Sequence, residues 1–149
     1  MKTLVAENIF VAREKTSGGI HIDHKAQLKH AQELLNRLEA DIDATAQVAD
    51  LRIGQQQMVE IAKALSLNAR VLLLDEPTEG IQPNIIQQIG RVIRILCDQG
   101  DMAIVLVEQY FDFAYELGDE FTVMKRGAVS FNKRANGLER QTLYDAVMV

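Results

Sequence analysis

The sequence predicts an α/β fold in which a helical part leads and a small parallel sheet follows. Three observations carry that expectation. Two continuous apolar runs, 71–74 and 102–107, bracket an amphipathic segment that opens at Pro83 and stops at Gly100. A strand–helix–strand succession of this kind makes a right-handed parallel crossover. The first 65 residues are nearly all helical in pattern, and Arg126-Gly127 separates two strand-like segments where a hairpin would turn. The division falls near residue 70, giving a helical subdomain over 1–70 and a partial α/β core over 71–149.

In chain order, Leu4, Val5, Ile9 and Phe10 predict a short helix over 3–12, with Thr3 as its N-cap and Glu7 four residues on. Ser17-Gly18-Gly19 marks a loop over 15–19. Asp23 caps a longer helix to about Glu39, in which Leu28, Ala31, Leu34, Leu35 and Leu38 recur at three- and four-residue spacing. Residues 41–50 have no sustained period and read as an irregular connector. From Gly54 the pattern is helical again, with Met58, Val59, Ala62 and Leu65 on one face and Asn68 as its end.

The run 71–74 has the continuous apolar character of a strand buried on both faces. Pro83 suits the first turn of the next helix, whose stripe is Ile85, Ile86, Ile89, Val92, Ile93 and Leu96, and Gly100 its stop. A second buried strand is expected over 102–107, then a short helix over 110–117 stopped by Gly118. A hairpin of 120–125 with 128–132 and a terminal helix over 138–148 complete the chain.

Composition limits the function classes. With 149 residues the chain has the length of one domain. A net charge of −5 argues against a nucleic-acid surface as the main partner. Cys97 is the single cysteine, which excludes an intramolecular disulfide and fits a reducing compartment. No apolar run approaches the ~20 residues needed to span a bilayer. Near the N-terminus Glu7 and Asn8 interrupt the only candidate apolar region, so no signal peptide is expected. These features point to a cytoplasmic chain.

The chemistry concentrates between Leu51 and Pro83. Asp75 and Glu76 close the first apolar run and precede Pro77. Such a pair is commonly an exposed acidic turn. It can also hold a hydrated Mg²⁺ through Asp75, with Glu76 orienting or deprotonating an attacking water in phosphoryl transfer. Two adjacent carboxylates repel one another and suit a cation. Upstream, Gly54 can be a helix cap and Gln55, Gln56 and Gln57 a solvated face. On the functional reading, Gly54 lets the backbone approach a phosphate at the helix N-terminus and Gln55 reaches nearby polar groups. Three glutamines at a helix start, seventeen residues before a strand, are hard to explain by packing alone. A G-x-x-x-x-G-K-[ST] phosphate loop is absent from the sequence.

The stretch LRIGQQQMVEIAKALSLNARVLLLDEPT resembles the signature motif, signature helix and Walker B strand of an ABC transporter ATP-binding subunit. The resemblance covers nearly the whole chain and implies an incomplete P-loop NTPase fold. Residues 1 to about 50 resemble the helical subdomain of such a subunit, beginning just after its Q-loop. By resemblance, Arg52, Ile53, Gly54 and Gln55 are the signature and bind a nucleotide held by a partner. Glu79, Gly80, Ile81 and Gln82 occupy the D-loop, Asp75 the water-mediated Mg²⁺ position, Glu76 the catalytic position, and Gln109 the switch position, usually histidine. ATP and Mg²⁺ are the implied cofactors. The implied partners are a second ATP-binding subunit, arranged head to tail, and membrane permease subunits that residues 1–40 help to dock; nucleic acid is not among them. The implied location is cytoplasmic and peripheral on the inner face of the cell membrane.

The first half, TLVAENIFVARE through VEIAKALSLNARVL, is similar to ATP-binding subunits of bacterial monosaccharide importers. DEPTEGIQPNIIQQIGRVIRIL and MAIVLVEQYFDFA are similar to the urea and branched-chain amino-acid importer branch, so a mosaic is expected, with divergence in one lineage as the alternative. Three departures stand out. Arg52 replaces the signature serine, exchanging a short hydroxyl donor for a long charged fork. Gln109 can hydrogen-bond but cannot carry a positive charge, and Gln82 stands where aspartate is frequent. Without a Walker A loop the lysine on the β/γ-phosphates is missing. The expectation is a truncated subunit that does not hydrolyse ATP alone; a non-catalytic interaction module or a recombined fragment are the alternatives.

Overall fold

The computed structural model describes residues 3–11, 16–17, 21–67 and 69–148. Helix α1 is Val5–Ile9, shorter than expected and capped by Leu4 rather than Thr3. Thr3 is drawn away because its carbonyl accepts from Val48 N at 3.1 Å, while Glu7 turns back to accept from Leu4 N at 3.0 Å. Thr16–Ser17 (β1), inside the expected loop, pairs antiparallel with His21–Ile22 (β2), which follows it. The remainder of that loop, Ala12 of the first helix and the helix end at Asn68 lie outside the described residues.

Helix α2, His24–Arg37, is capped as expected by Asp23, which accepts from Ala26 N at 2.9 Å. The connector that follows is irregular but tethered. Gln32 on α2 donates to Ile42 O at 3.2 Å and accepts from Ala44 N at 3.0 Å. Val5 N and Ala6 N reach Ala46 O and Ala44 O. Asp43 accepts from the Thr45 hydroxyl and amide, each at 2.7 Å, and these bonds hold its carboxyl below the usual range. A single 3₁₀ turn, Val48–Asp50, leads into α3, Ile53–Ser66.

Strand β3, Val71–Asp75, pairs in parallel with β4, Ala103–Val107, in the register Leu73↔Val105 and Asp75↔Val107. Between them runs α4, Pro83–Gln99, ended by Gly100 at φ 69°, a left-handed cap. The parallel strand–helix–strand arrangement is therefore as the sequence predicts. Helix α5 is Phe111–Leu117, the hairpin is Glu120–Lys125 (β5) with Ala128–Arg134 (β6), and α6 is Arg140–Met148. Arg126 and Gly127 both take positive φ, 52° and 78°, which matches a two-residue hairpin turn to the twist of its strands.

One apolar core runs through α1–α4 and one face of the sheet. Val5, Ile9, Leu35, Leu38, Met58 and Ile61 fill the space among the first three helices. Leu72 and Leu74 join the α4 stripe of Ile89, Val92, Ile93 and Leu96. The expectation of strands buried on both faces is corrected here. On the other face Val71 and Leu73 are 59% and 62% exposed, and Val105 and Val107 are 48% and 47% exposed. Among the described residues helices cover the Leu72 side only, which leaves a face of two-sided strand composition exposed.

Candidate functional site

The parallel register places the carboxyl ends of β3 and β4 side by side, where open α/β sheets bind ligands. Asp75 ends β3 on the exposed face. The chain then turns sharply: Glu76 has φ 46°, a left-handed conformation strained for a residue with a Cβ. Its amide donates to Val107 O at 2.8 Å, which holds the turn against β4. From the other strand end, the Gln109 side-chain amide donates to Glu76 Oε1. The structure thus brings Glu76 and Gln109 into contact, with Asp75 one residue away and, among the described residues, no ion pair to either carboxylate.

Glu108 was not singled out from the sequence. Its Oε2 accepts from Thr78 Oγ1 at 2.7 Å, and its Oε1 accepts from Gln109 N at 2.9 Å and Tyr110 N at 3.0 Å. The signal was present: like Asp75-Glu76, it is an acidic residue closing a continuous apolar run.

A second group surrounds a cavity of about 530 Å³. Arg52, Ile53, Gly54 and Gln55 line it from the start of α3, and Gly80, Ile81 and Gln82 from the turn before α4. Gly80 has φ 68°, Ile81 packs on the core, and Gln82 is the N-cap of α4. Glu79 is exposed beside them, its amide bonded to Glu76 O at 3.1 Å. Asp75, Glu76 and Gln109 do not line this cavity.

Packing explains more of the α3 start than the sequence suggests. Gly54 is buried, and a Cβ there would overlap Ile85 Cγ2 and lie 3.2 Å from Ile85 Cβ. The absence of a side chain lets α3 rest on α4. Gln55 accepts from Arg52 N at 3.1 Å, satisfying a helix-start donor, and donates to Asp41 O at 3.4 Å. Gln56 donates to Leu51 O at 2.9 Å. Two of the three glutamines therefore have structural partners. Arg52 is the exposed N-cap.

Among the described residues no group of three or more His, Cys, Asp and Glu could hold a metal. Mg²⁺ does not require one, since it is often bound through one or two carboxylates together with water and phosphate oxygens. Exposed Asp75 with neighbouring Glu76 fits that donor set.

The family profile described as ABC transporter matches residues 1–79, more than half of the chain. The chain belongs to the ABC transporter ATP-binding family. This ABC chain is 41% identical over 123 residues to ribose import ATP-binding protein RbsA 1 of Rubrobacter xylanophilus, covering 83% of the chain and 24% of the relative. It is 37% identical over 142 residues to a putative ribose/galactose/methyl galactoside import ATP-binding protein of Geobacillus kaustophilus, covering 93% and 28%. It spans about a quarter of the length of these relatives.

Solved structures show the same fold. MJ1267, an ATP-binding cassette of an ABC transporter, superposes with a TM-score of 0.78 at 21% identity, over 95% of this chain and 59% of that one. A putative metal-chelate type ABC transporter gives 0.79 at 17% identity, over 98% and 59%. The fold is that of ABC ATPase domains, the P-loop NTPase fold.

Proposed function

We propose that the chain supplies two parts of the ATP-hydrolysing machinery of an ABC importer. One is the strand-end group Asp75, Glu76 and Gln109; the other is the signature Arg52–Gln55 with the D-loop Glu79–Gln82. The observation that carries this reading is the Gln109 amide on the Glu76 carboxylate, at the carboxyl ends of two parallel strands. An amide that donates to a carboxylate from a neighbouring strand end fixes its orientation, and an oriented carboxylate can align and deprotonate a water.

In this reading Glu76 acts on the attacking water and Gln109 holds Glu76 in place. Asp75 contributes to a hydrated Mg²⁺, which when bound neutralises charge on the phosphates. The sequence contains no G-x-x-x-x-G-K-[ST], so phosphate binding beside Asp75 draws on donors outside these 149 residues. Arg52 to Gln55 face a nucleotide held by a second ATP-binding subunit, arranged head to tail. The helical subdomain, 1–70, docks on membrane permease subunits at the inner face of the membrane, and 71–149 forms the catalytic core. No described helix is long and apolar enough to cross a membrane.

A sugar is the proposed solute. The named relatives are ribose or ribose/galactose import proteins, and the similarity to one of them runs over 142 residues and through both halves. Urea or a branched-chain amino acid is the second reading, favoured by Gln109 at the switch position.

Phosphate release from MgATP by this chain joined behind the phosphate-loop segment of an intact cassette, which supplies the missing donors beside Asp75, tests the catalytic assignment. Glu76→Gln lowers turnover at the site it lines by about 10²–10⁴-fold while ATP binding persists. Equal turnover of mutant and wild type contradicts it.

A further inference from the structure

We propose that Glu108 is a positioning residue, one that ties the turn after β3 to the turn after β4 and thereby seats the Gln109 amide on Glu76. The inference rests on the reading of Glu76 and Gln109 as a working pair, and it adds a residue outside the lining of the cavity beside Arg52.

Four hydrogen bonds carry it. Glu108 is half-buried and spends its two oxygens on different segments. Oε2 takes the hydroxyl of Thr78, a side chain only 7% exposed and two residues beyond Glu76. Oε1 takes the backbone amides of Gln109 and Tyr110. The Gln109 side chain then returns to Glu76, which closes a ring: Glu76, Thr78, Glu108, Gln109, Glu76. All three groups facing Glu108 are donors, which an acceptor-only carboxylate satisfies completely. Among the described residues no ion pair engages it. Its negative charge is therefore met by oriented dipoles alone, and bonds to an ionised acceptor are the stronger kind.

A purely local cap of α5 would need only the bonds to Gln109 N and Tyr110 N. The Thr78 bond goes further, because it spans thirty residues of sequence and joins the two strand ends. Gln109 is exposed, so packing does not restrain it, whereas the Tyr110 ring stacks on Phe113. Held by Glu108, the Gln109 backbone leaves its side chain a short reach to Glu76. Released, that side chain is an ordinary solvent-facing glutamine.

Amide exchange and side-chain NH₂ resonances of the ¹⁵N-labelled chain test the proposal. In Glu108→Ala the Gln109 and Tyr110 amides exchange about tenfold faster or more, as expected on losing bonds to a charged acceptor. The Gln109 NH₂ pair moves to the shifts of exposed Gln87. Amides of Val59 and Val92 keep their wild-type rates. Glu108→Gln, whose amide oxygen still accepts and whose NH₂ can donate to Thr78, restores protection to within about threefold of wild type. Thr78→Val displaces the Gln109 NH₂ pair but leaves the Gln109 and Tyr110 amides protected, since they bind the other oxygen. The proposal is overturned if Glu108→Ala leaves the Gln109 NH₂ pair unmoved, or speeds Val59 and Val92 as much as Gln109. Should Glu108→Ala not fold, an unmoved Gln109 pair in Thr78→Val overturns it instead. None of these readouts involves hydrolysis. Equal turnover of Glu76→Gln and wild type in the completed site would remove the catalytic reading of Glu76 and leave the positioning result standing.

Discussion

Gly54 shows how a single residue can carry two explanations. The sequence offers it as a phosphate-approach position, and the structure uses it to seat α3 on Ile85 of α4. Gly54→Ala forces the seam open, because Ile85 Cβ as well as Cγ2 stands in the way, and overpacking of this kind costs about 1–3 kcal/mol. Chemical denaturation measures it, and Ile85→Ala in the same chain should return part of the loss through a non-additive cycle. Cys97 behaves differently from a free thiol. Burial raises its pKa, and nearby Asp119 adds to the effect. A raised pKa keeps the thiol neutral to higher pH, so alkylation near neutrality runs slower than that of free cysteine and accelerates only beyond the ordinary thiol range. The strand-end residues were legible because acidic groups closing apolar runs are conspicuous in a sequence. The Gln109–Glu76 contact was not legible, since it depends on the parallel register that aligns Asp75 with Val107.

Among the elements, those with a strong period or a distinctive stop emerged with nearly the expected bounds. Helix α4 starts at Pro83 and ends at Gly100, and the hairpin turns at Arg126-Gly127. Arg126 holds φ 52°, a conformation costly for most residues and tolerated by asparagine. Arg126→Asn is therefore expected to raise stability by a few tenths and up to about 1 kcal/mol, read from the unfolding midpoint. Helix α1 was less legible. Its start depends on Val48 N claiming the Thr3 carbonyl, a contact across forty-five residues that no local pattern announces. The two-residue pairing of β1 with β2 is likewise too short to produce a period.

At the scale of the whole molecule, the sheet explains what the sequence could not foresee. Continuous apolar composition predicts helices on both faces, and the structure covers one. Leu72→Ala or Leu74→Ala on the covered face costs about 2–5 kcal/mol of stability. Leu73→Lys or Val105→Lys on the open face should leave the unfolding midpoint within about 0.5 kcal/mol and reduce self-association in sedimentation. On the proposed function, Arg52–Gln55 completes a nucleotide site on another ATP-binding subunit. Association of this chain with an intact cassette, followed by fluorescence anisotropy with and without MgATP, tests it most directly. Binding is expected to require MgATP and to be lost in Arg52→Glu, a change at an exposed side chain that leaves the α3–α4 seam intact, with Leu73→Lys binding as wild type. Association that is absent, or equally strong without nucleotide, would contradict it.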